Sequence, residues 1–175
     1  MRLFTVSIFE KKRNLVGKII EKVIESEDKL ILERKGDYNR IKFNSIILSK
    51  LIPNIAKEKT KTNSILLFEL RNGLNYKEIK LVLYLRKIDQ NDISIRHKLL
   101  DIMDKYNLFE YNDKIRESYG DKPVFKDDCF MNIDNMSIDD INQNFSDMFR
   151  KKLHEFMEGK LATIEDIFKK HSPIS

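Results

Sequence analysis

The chain of 175 residues has no tryptophan and only one cysteine, three prolines and five glycines. Its single cysteine, Cys129, has no partner for a disulfide within the chain, so the fold must be stabilised in another way. No apolar run approaches the roughly 20 residues that a bilayer-spanning helix needs. The start of the chain shows no cleavage site of a signal peptide. We therefore expect a reducing, cytoplasmic setting without a membrane partner.

The amino-acid composition is typical of a globular protein, with 41% hydrophobic and 35% charged residues. A chain of this length buries about two-thirds of its unfolded surface, so neither a metal nor a cofactor is expected to be needed for stability. No linker rich in glycine, proline or serine divides the sequence, which predicts a single domain over residues 1–175. The net charge of +5 permits contact with nucleic acid, although the basic residues are spread along the whole chain.

Helical periodicity dominates the start of the chain. Leu15, Ile19 and Val23 recur at i, i+4 and i+8, which predicts an amphipathic helix within a helical segment over residues 1–27. The stretch from Leu3 to Phe9 alternates loosely and predicts a short edge strand or a disordered start.

The end of the chain is also helical in pattern. Ser137 and Asp140 resemble a capping box, which predicts a C-terminal helical arm over residues 137–170. Gly159 predicts an interruption, and Thr163 predicts a second cap. The apolar stripe of this arm is expected to be core or, alternatively, the surface of a homodimer: Ile141, Phe145, Met148, Phe149, Leu153, Phe156 and Met157.

Two hairpins are predicted between these helices. Residues 29–33 and 39–43 flank Gly36 and Asp37, which favour a turn, and Ser45 is expected to cap a short helix that ends before Pro53. Residues 65–71 and 78–86 form the longest pair of alternating strands, which is expected in the middle of the sheet.

The elements after the central hairpin complete the expected fold. A helix is predicted from Asp92 or Ser94 to about Tyr106, then a loop over residues 107–122 and a short strand over residues 123–126. The fold class is therefore α+β, with a mostly antiparallel sheet of four to five strands, helices on one face and a long C-terminal helix.

Basic residues of the first hairpin are the candidate contact site. Arg40 and Lys42 share the wet face of one strand, Arg34 and Lys35 lie at the hairpin tip, and Tyr38 is nearby. Phosphate groups are bound by such basic and aromatic sets, so these five residues are predicted to contact a nucleic acid or a protein partner. The alternative is an ordinary solvated sheet face.

Several residues have side chains that could support catalysis, but each pattern also fits a structural role. Glu33 and Lys35 match the Glu-x-Lys pattern of metal-dependent nucleases, in which the carboxylate holds Mg²⁺, but no aspartate lies on a preceding strand. The pairs Asp127–Asp128 and Asp139–Asp140 fit structural positions. No two of the histidines His97, His154 and His171 have the spacing of metal ligands. No catalytic, metal-binding or cofactor-binding residue is therefore assigned.

The order of elements between Asn39 and Lys170 resembles that of a known group of proteins. It consists of Arg40-Ile-Lys-Phe43, a short helix to Pro53, Leu66-Leu-Phe-Glu-Leu-Arg-Asn72, Ile79-Lys-Leu-Val-Leu-Tyr-Leu85, a helix opened by Ile95-Arg96 with Leu99, a late strand and a last helix ending near Ile164. This pattern resembles the C-terminal accessory region of bacterial defence-type proteins of the PD-(D/E)XK nuclease superfamily. Their nuclease half has no counterpart in the chain, so the resemblance transfers no catalytic residue.

Three functions follow as hypotheses. The first is a non-catalytic interaction domain of a bacterial or phage defence-related system, which binds a protein partner or, alternatively, nucleic acid. The second is a small divergent Mg²⁺-dependent nuclease that uses Glu33 and Lys35. The third is a phage-encoded inhibitor of a host defence complex.

Overall fold

A computed structural model of the protein describes residues 2–72, 77–109, 115–116 and 118–171, with side chains from residue 8 onward. Five antiparallel strands form one sheet in the order β1-β2-β3-β4-β5. Together with the helices this gives the predicted α+β class, with five strands. The strands are β1 (Leu30–Leu32), β2 (Arg40–Ser45), β3 (Leu66–Asn72), β4 (Glu78–Leu85) and β5 (Lys122–Asn132).

Six α-helical segments are described around the sheet. A 3₁₀ turn, Gln90–Asp92, leads into the third of them, and the last three form one continuous helical run with π-helical turns at Ile141–Phe145 and Met157–Leu161. This run, residues 138–170, is the long C-terminal helix that the sequence predicts. The segments are α1 (Arg2–Ser26), α2 (Ile46–Leu51), α3 (Ile93–Lys105), α4 (Ile138–Asp140), α5 (Ser146–Phe156) and α6 (Ala162–Lys170).

One face of the sheet, here called the covered face, carries the hydrophobic core. Alternate residues of β2, β3 and β4 pack there against α1 and the C-terminal helix. Phe68 on β3 stacks on Phe43 with 5.4 Å between ring centroids and meets the edge of Phe156 at the same separation. Burial of these apolar residues holds the helices on the sheet, because most of the stability of a helix in a protein comes from the packing of its apolar face.

Local sequence signals explain the positions of several turns and caps. Gly36 adopts a φ of +86°, which lets the chain turn between β1 and β2. Ser45 caps α2, since its Oγ accepts hydrogen bonds from the N–H groups of Ile47 and Leu48. Ser137 and Asp140 form the predicted capping box.

The first residues of the chain match only part of the prediction. Residues 2–9 belong to α1, which agrees with the helical segment predicted over residues 1–27 but not with the edge strand or disordered start predicted from Leu3 to Phe9. Because no glycine or proline occurs before Gly17, nothing in the sequence ends the helix early, and the loose alternation from Leu3 to Phe9 is no strand signal.

The predicted interruption of the C-terminal helix is also wrong. Gly159 lies within the π-helical turn Met157–Leu161, so the helical run continues through it. Thr163 lies inside α6 and donates a hydrogen bond from Oγ1 to the Gly159 carbonyl, so it is not a cap. Burial of Phe156 and Leu161 on either side stabilises the helix, which offsets the cost of about 1 kcal/mol for an internal glycine.

The last strand is longer than expected, with eleven residues from Lys122 to Asn132. The sequence predicts only residues 123–126, because Asp127 and Asp128 are unusual in a buried strand. As β5 lies at an edge of the sheet, its polar side chains can reach water. Part of the predicted loop before β5, residues 110–114 and 117, lies outside the described residues.

Candidate nucleic-acid interface

The second face of the sheet, here called the open face, carries most of the strand residues with charged side chains. Its residues are those that alternate with the core residues along each strand. The register places Lys42 opposite Glu69, and Val82 opposite both Glu69 and Lys126. Five cations and three carboxylates from the strands occupy this face: Arg40, Lys42, Arg71, Lys80 and Lys126, with Glu69, Glu78 and Asp128.

Three of these cations lie in one line across neighbouring strands. Arg40 on β2 is directly opposite Arg71 on β3, and Arg71 is directly opposite Lys80 on β4. With about 4.8 Å between adjacent strands, this cation row spans about 10 Å. Like charges placed directly opposite each other destabilise a sheet, so the row is an arrangement that folding alone does not favour.

The partners of the cation row neutralise only part of its charge. Arg71 donates from Nε to Glu69 at 2.7 Å, and Lys80 donates from Nζ to Asp128 at 3.0 Å. The hydrogen bond between Lys80 and Asp128 raises the pKa of Lys80 and lowers that of Asp128. In the described part of the chain, no ion pair involves the exposed Arg40. The Lys80–Asp128 pair is exposed and therefore contributes little free energy, whereas Glu69 is buried. An anion can thus compete most readily at Arg40 and Lys80.

A loop over residues 53–64 is attached beside the row by a buried arginine. Arg86 is 1% exposed and donates to the Glu58 carboxylate at 2.8 Å, to the Glu58 carbonyl at 2.9 Å and to Thr60 Oγ1 at 2.9 Å. Lys42 binds the same carboxylate at 2.7 Å. Burial of Glu58 would raise its pKa, but the hydrogen bonds and charges of Lys42 and Arg86 lower it overall.

A small cavity opens on the same face, next to the cation row. It measures about 170 Å³, and we call it the Tyr84 cavity. Arg40 belongs to both its wall and the row, while Leu67 and Tyr84 provide apolar surface. The Arg71 guanidinium lies 5.3 Å from the centre of the Tyr84 ring, so the row and the cavity form one continuous surface.

The five predicted contact residues divide into two groups. Arg40 and Lys42 lie on the open face, as the alternation in β2 predicts. Lys35 instead forms an ion pair with Glu25 of α1, and Tyr38 packs against α1 at Gly17. A Cβ added at Gly17 would lie 2.9 Å from the Tyr38 Cα, so glycine permits this close approach.

The hairpin tip is therefore attached to the helix rather than to the open face. The Gly36 N–H donates to Glu21 Oε1 at 2.8 Å, and Lys18 of α1 lies 5.9 Å from the centre of the Tyr38 ring. Arg34 is exposed at this tip. Of the predicted set, Arg40 and Lys42 are thus the residues that share a surface with the cation row.

The Glu-x-Lys pattern has a structural explanation in these contacts. Glu33 is 6% exposed, and its two carboxylate oxygens accept hydrogen bonds from the N–H and Oγ1 of Thr62. It therefore attaches the loop over residues 53–64 from the β1 side, while Lys35 points to Glu25. The two side chains bind different residues, Thr62 and Glu25, and do not come together at one site.

The other acidic pairs also have local partners. Asp127 accepts a hydrogen bond from the Cys129 N–H at 3.1 Å, and Asp128 pairs with Lys80. Asp140 belongs to the capping box, and its hydrogen bonds from the side chain and backbone of Ser137 lower its pKa. Within the described residues, no group of three potential metal ligands comes together.

The three histidines contact different parts of the chain. His97 is within 3.0 Å of the Arg116 carbonyl, His154 is 3.0 Å from Glu27, and His171 contacts Tyr106. Each serves a different contact between elements.

The apolar stripe of the C-terminal helix lies in the core. Phe145, Phe149 and Leu153 are fully buried, whereas Met148 is 47% exposed. Apart from Met148, the stripe thus packs in the core, the first of its two predicted roles. None of the helices described combines the length and hydrophobicity that a bilayer crossing requires.

Two members of the row were not identified as contact residues from the sequence. Arg71 and Lys80 belong to the central hairpin, which the sequence predicts only as the middle of the sheet. Their proximity to Arg40 depends on the register between three strands. The available signal was their position on the polar side of each alternating strand. Without the register, that signal does not show that the three cations are aligned.

Comparison with protein-family models, curated proteins and solved structures gives no match for this chain. The resemblance to accessory regions of defence nucleases therefore stays a prediction.

Proposed function

We propose that the protein is a non-catalytic interaction domain that binds nucleic acid through the open face of its sheet. The cation row of Arg40, Arg71 and Lys80 is the observation that supports this proposal. Its cross-strand repulsion has a cost in the free protein, and a phosphate backbone lying across the row relieves that cost. The defence-related setting implied by the sequence resemblance is part of the same proposal.

Binding should depend steeply on salt, because phosphate contacts release counterions. For a single strand each contact contributes about −0.7 to the slope of log K against log salt concentration, so three contacts give a slope of about −2. Fluorescence anisotropy with a labelled oligonucleotide over a range of salt concentrations measures this slope. No binding at low salt would overturn the proposal.

Substitutions at the row should weaken binding more than the same change elsewhere. Arg40→Gln and Lys80→Gln should each lower affinity at low salt and reduce the magnitude of the salt slope by about 0.7. Lys151→Gln is the matched control, because Lys151 is exposed on the C-terminal helix and is not on the open face. Equal losses for Lys80→Gln and Lys151→Gln would indicate a general charge effect and contradict the proposed interface.

Two further measurements separate this function from the alternatives. Poly-L-glutamate bound as tightly as nucleic acid would indicate an acidic protein partner instead. Mg²⁺-dependent cleavage of nucleic acid that is lost in Glu33→Ala would establish the nuclease hypothesis and overturn the non-catalytic one.

A further inference from the structure

The Tyr84 cavity gives the open face a feature that phosphate binding does not use. At about 170 Å³ it is close to the roughly 150 Å³ of an engineered protein cavity that binds benzene. This volume therefore matches a single six-membered ring better than a fused two-ring system. The wall provides an aromatic ring, an aliphatic side chain and charged groups, which suits a flat ring with polar edges.

A residue of the cavity wall carries a buried hydrogen-bond donor without a partner in the described part of the chain. Arg86 lines it and is 1% exposed, yet its Nε–H has no acceptor among the described residues. A buried donor without a partner destabilises the folded protein. A ring carbonyl oxygen entering the cavity would supply the missing acceptor, and pyrimidine bases carry such a carbonyl.

The cavity and the cation row are joined through Arg40 and Arg71. Arg40 contributes to both, and Arg71 lies over the ring of Tyr84. A backbone held on the row therefore passes the mouth of the cavity. A base can enter only if it is unpaired and turned away from its neighbours, as in single-stranded nucleic acid.

We propose that single-stranded nucleic acid lies across the cation row and places one pyrimidine base in the Tyr84 cavity. This inference rests on the proposed function and specifies its ligand. Arg40, Arg71 and Lys80 bind the phosphates, Tyr84 and Leu67 contact the ring, and Arg86 donates to a ring carbonyl. The base is the specific contact, and the phosphates position it.

Anisotropy measurements with three labelled ligands of equal length test this inference: oligothymidylate, oligoadenylate and a mixed-sequence duplex. We expect oligothymidylate to bind about tenfold more tightly than the other two, within the range of one base–aromatic contact. Tyr84→Leu should remove this preference and leave the salt-dependent part of binding. Tyr106→Leu is the control, because Tyr106 is also partly exposed but does not line the cavity.

The possible results distinguish the two proposals. Equal affinity for all three ligands, unchanged in Tyr84→Leu, would overturn the pyrimidine site and leave the phosphate interface standing. Preference for the duplex or for oligoadenylate would also overturn the site. Absence of binding to every ligand at low salt would remove both. The comparison of ligands uses the unmodified protein, so it holds even if Tyr84→Leu is unstable.

Discussion

The two faces of the sheet are built from the same strands but are stabilised in opposite ways. On the covered face, alternate residues of β2, β3 and β4 meet apolar groups of α1 and the C-terminal helix. On the open face, the intervening residues place like charges opposite each other in the cation row. The covered face lowers the free energy of the fold, and the open face keeps a surface that a ligand can stabilise.

The largest expected difference between the faces concerns stability. Phe68→Ala removes a buried ring that contacts Phe43 and Phe156, so it should lower the free energy of unfolding by about 3–5 kcal/mol. Lys80→Gln on the open face should change it by less than about 0.5 kcal/mol. Denaturant unfolding monitored by circular dichroism measures both. Similar losses of unfolding free energy for the two variants would show that the two faces do not differ in their contribution to stability.

A second substitution tests how the loop over residues 53–64 is attached beside the cation row. Arg86→Met removes the hydrogen bonds that attach the loop over residues 53–64, and we expect a loss of about 2–3 kcal/mol. The loop contains Lys57, Lys59 and Lys61, so trypsin should cleave it faster in the variant. Unchanged cleavage would mean that other contacts, such as that of Glu33 with Thr62, are sufficient.

A third substitution tests the hairpin tip, which belongs to neither face. Gly17→Ala places a Cβ 2.9 Å from the Tyr38 Cα, so the tip must move away from α1, at a cost of about 1–3 kcal/mol. Nucleic-acid affinity should stay the same, because the cation row lies on other residues. A loss of affinity in a folded variant would place Arg34, Lys35 and Tyr38 back in the interface.

The smallest expected effect is a dependence of stability on pH. The folded protein lowers the pKa of Glu58 below its ordinary value of 4.5. This contribution is therefore complete above pH 4.5 and is lost as the pH falls through the lower pKa of the folded state. Glu58→Gln should flatten the stability profile below pH 4.5. An identical profile in both proteins would show that other carboxylates determine acid unfolding.

Much of the fold follows from periodicity and caps. The alternation in residues 78–86 predicts β4, and Ser45 and Ser137 predict the starts of helices, because these signals act within a few residues. The length of β5 and the continuation through Gly159 depend on an edge position and on burial that only the folded chain provides. The candidate site can likewise be predicted only in part. Alternation places Arg40 and Lys42 on one face, but the alignment of the cation row depends on the register between distant strands.

The lone thiol of the chain lies beside the interface. Cys129 is exposed on β5, next to Asp128, the partner of Lys80. Because the sequence contains no other cysteine, a maleimide dye can be attached at this one position without engineering. The labelled protein would then act as its own optical sensor, in which a change of emission reports when a ligand displaces Asp128 from Lys80.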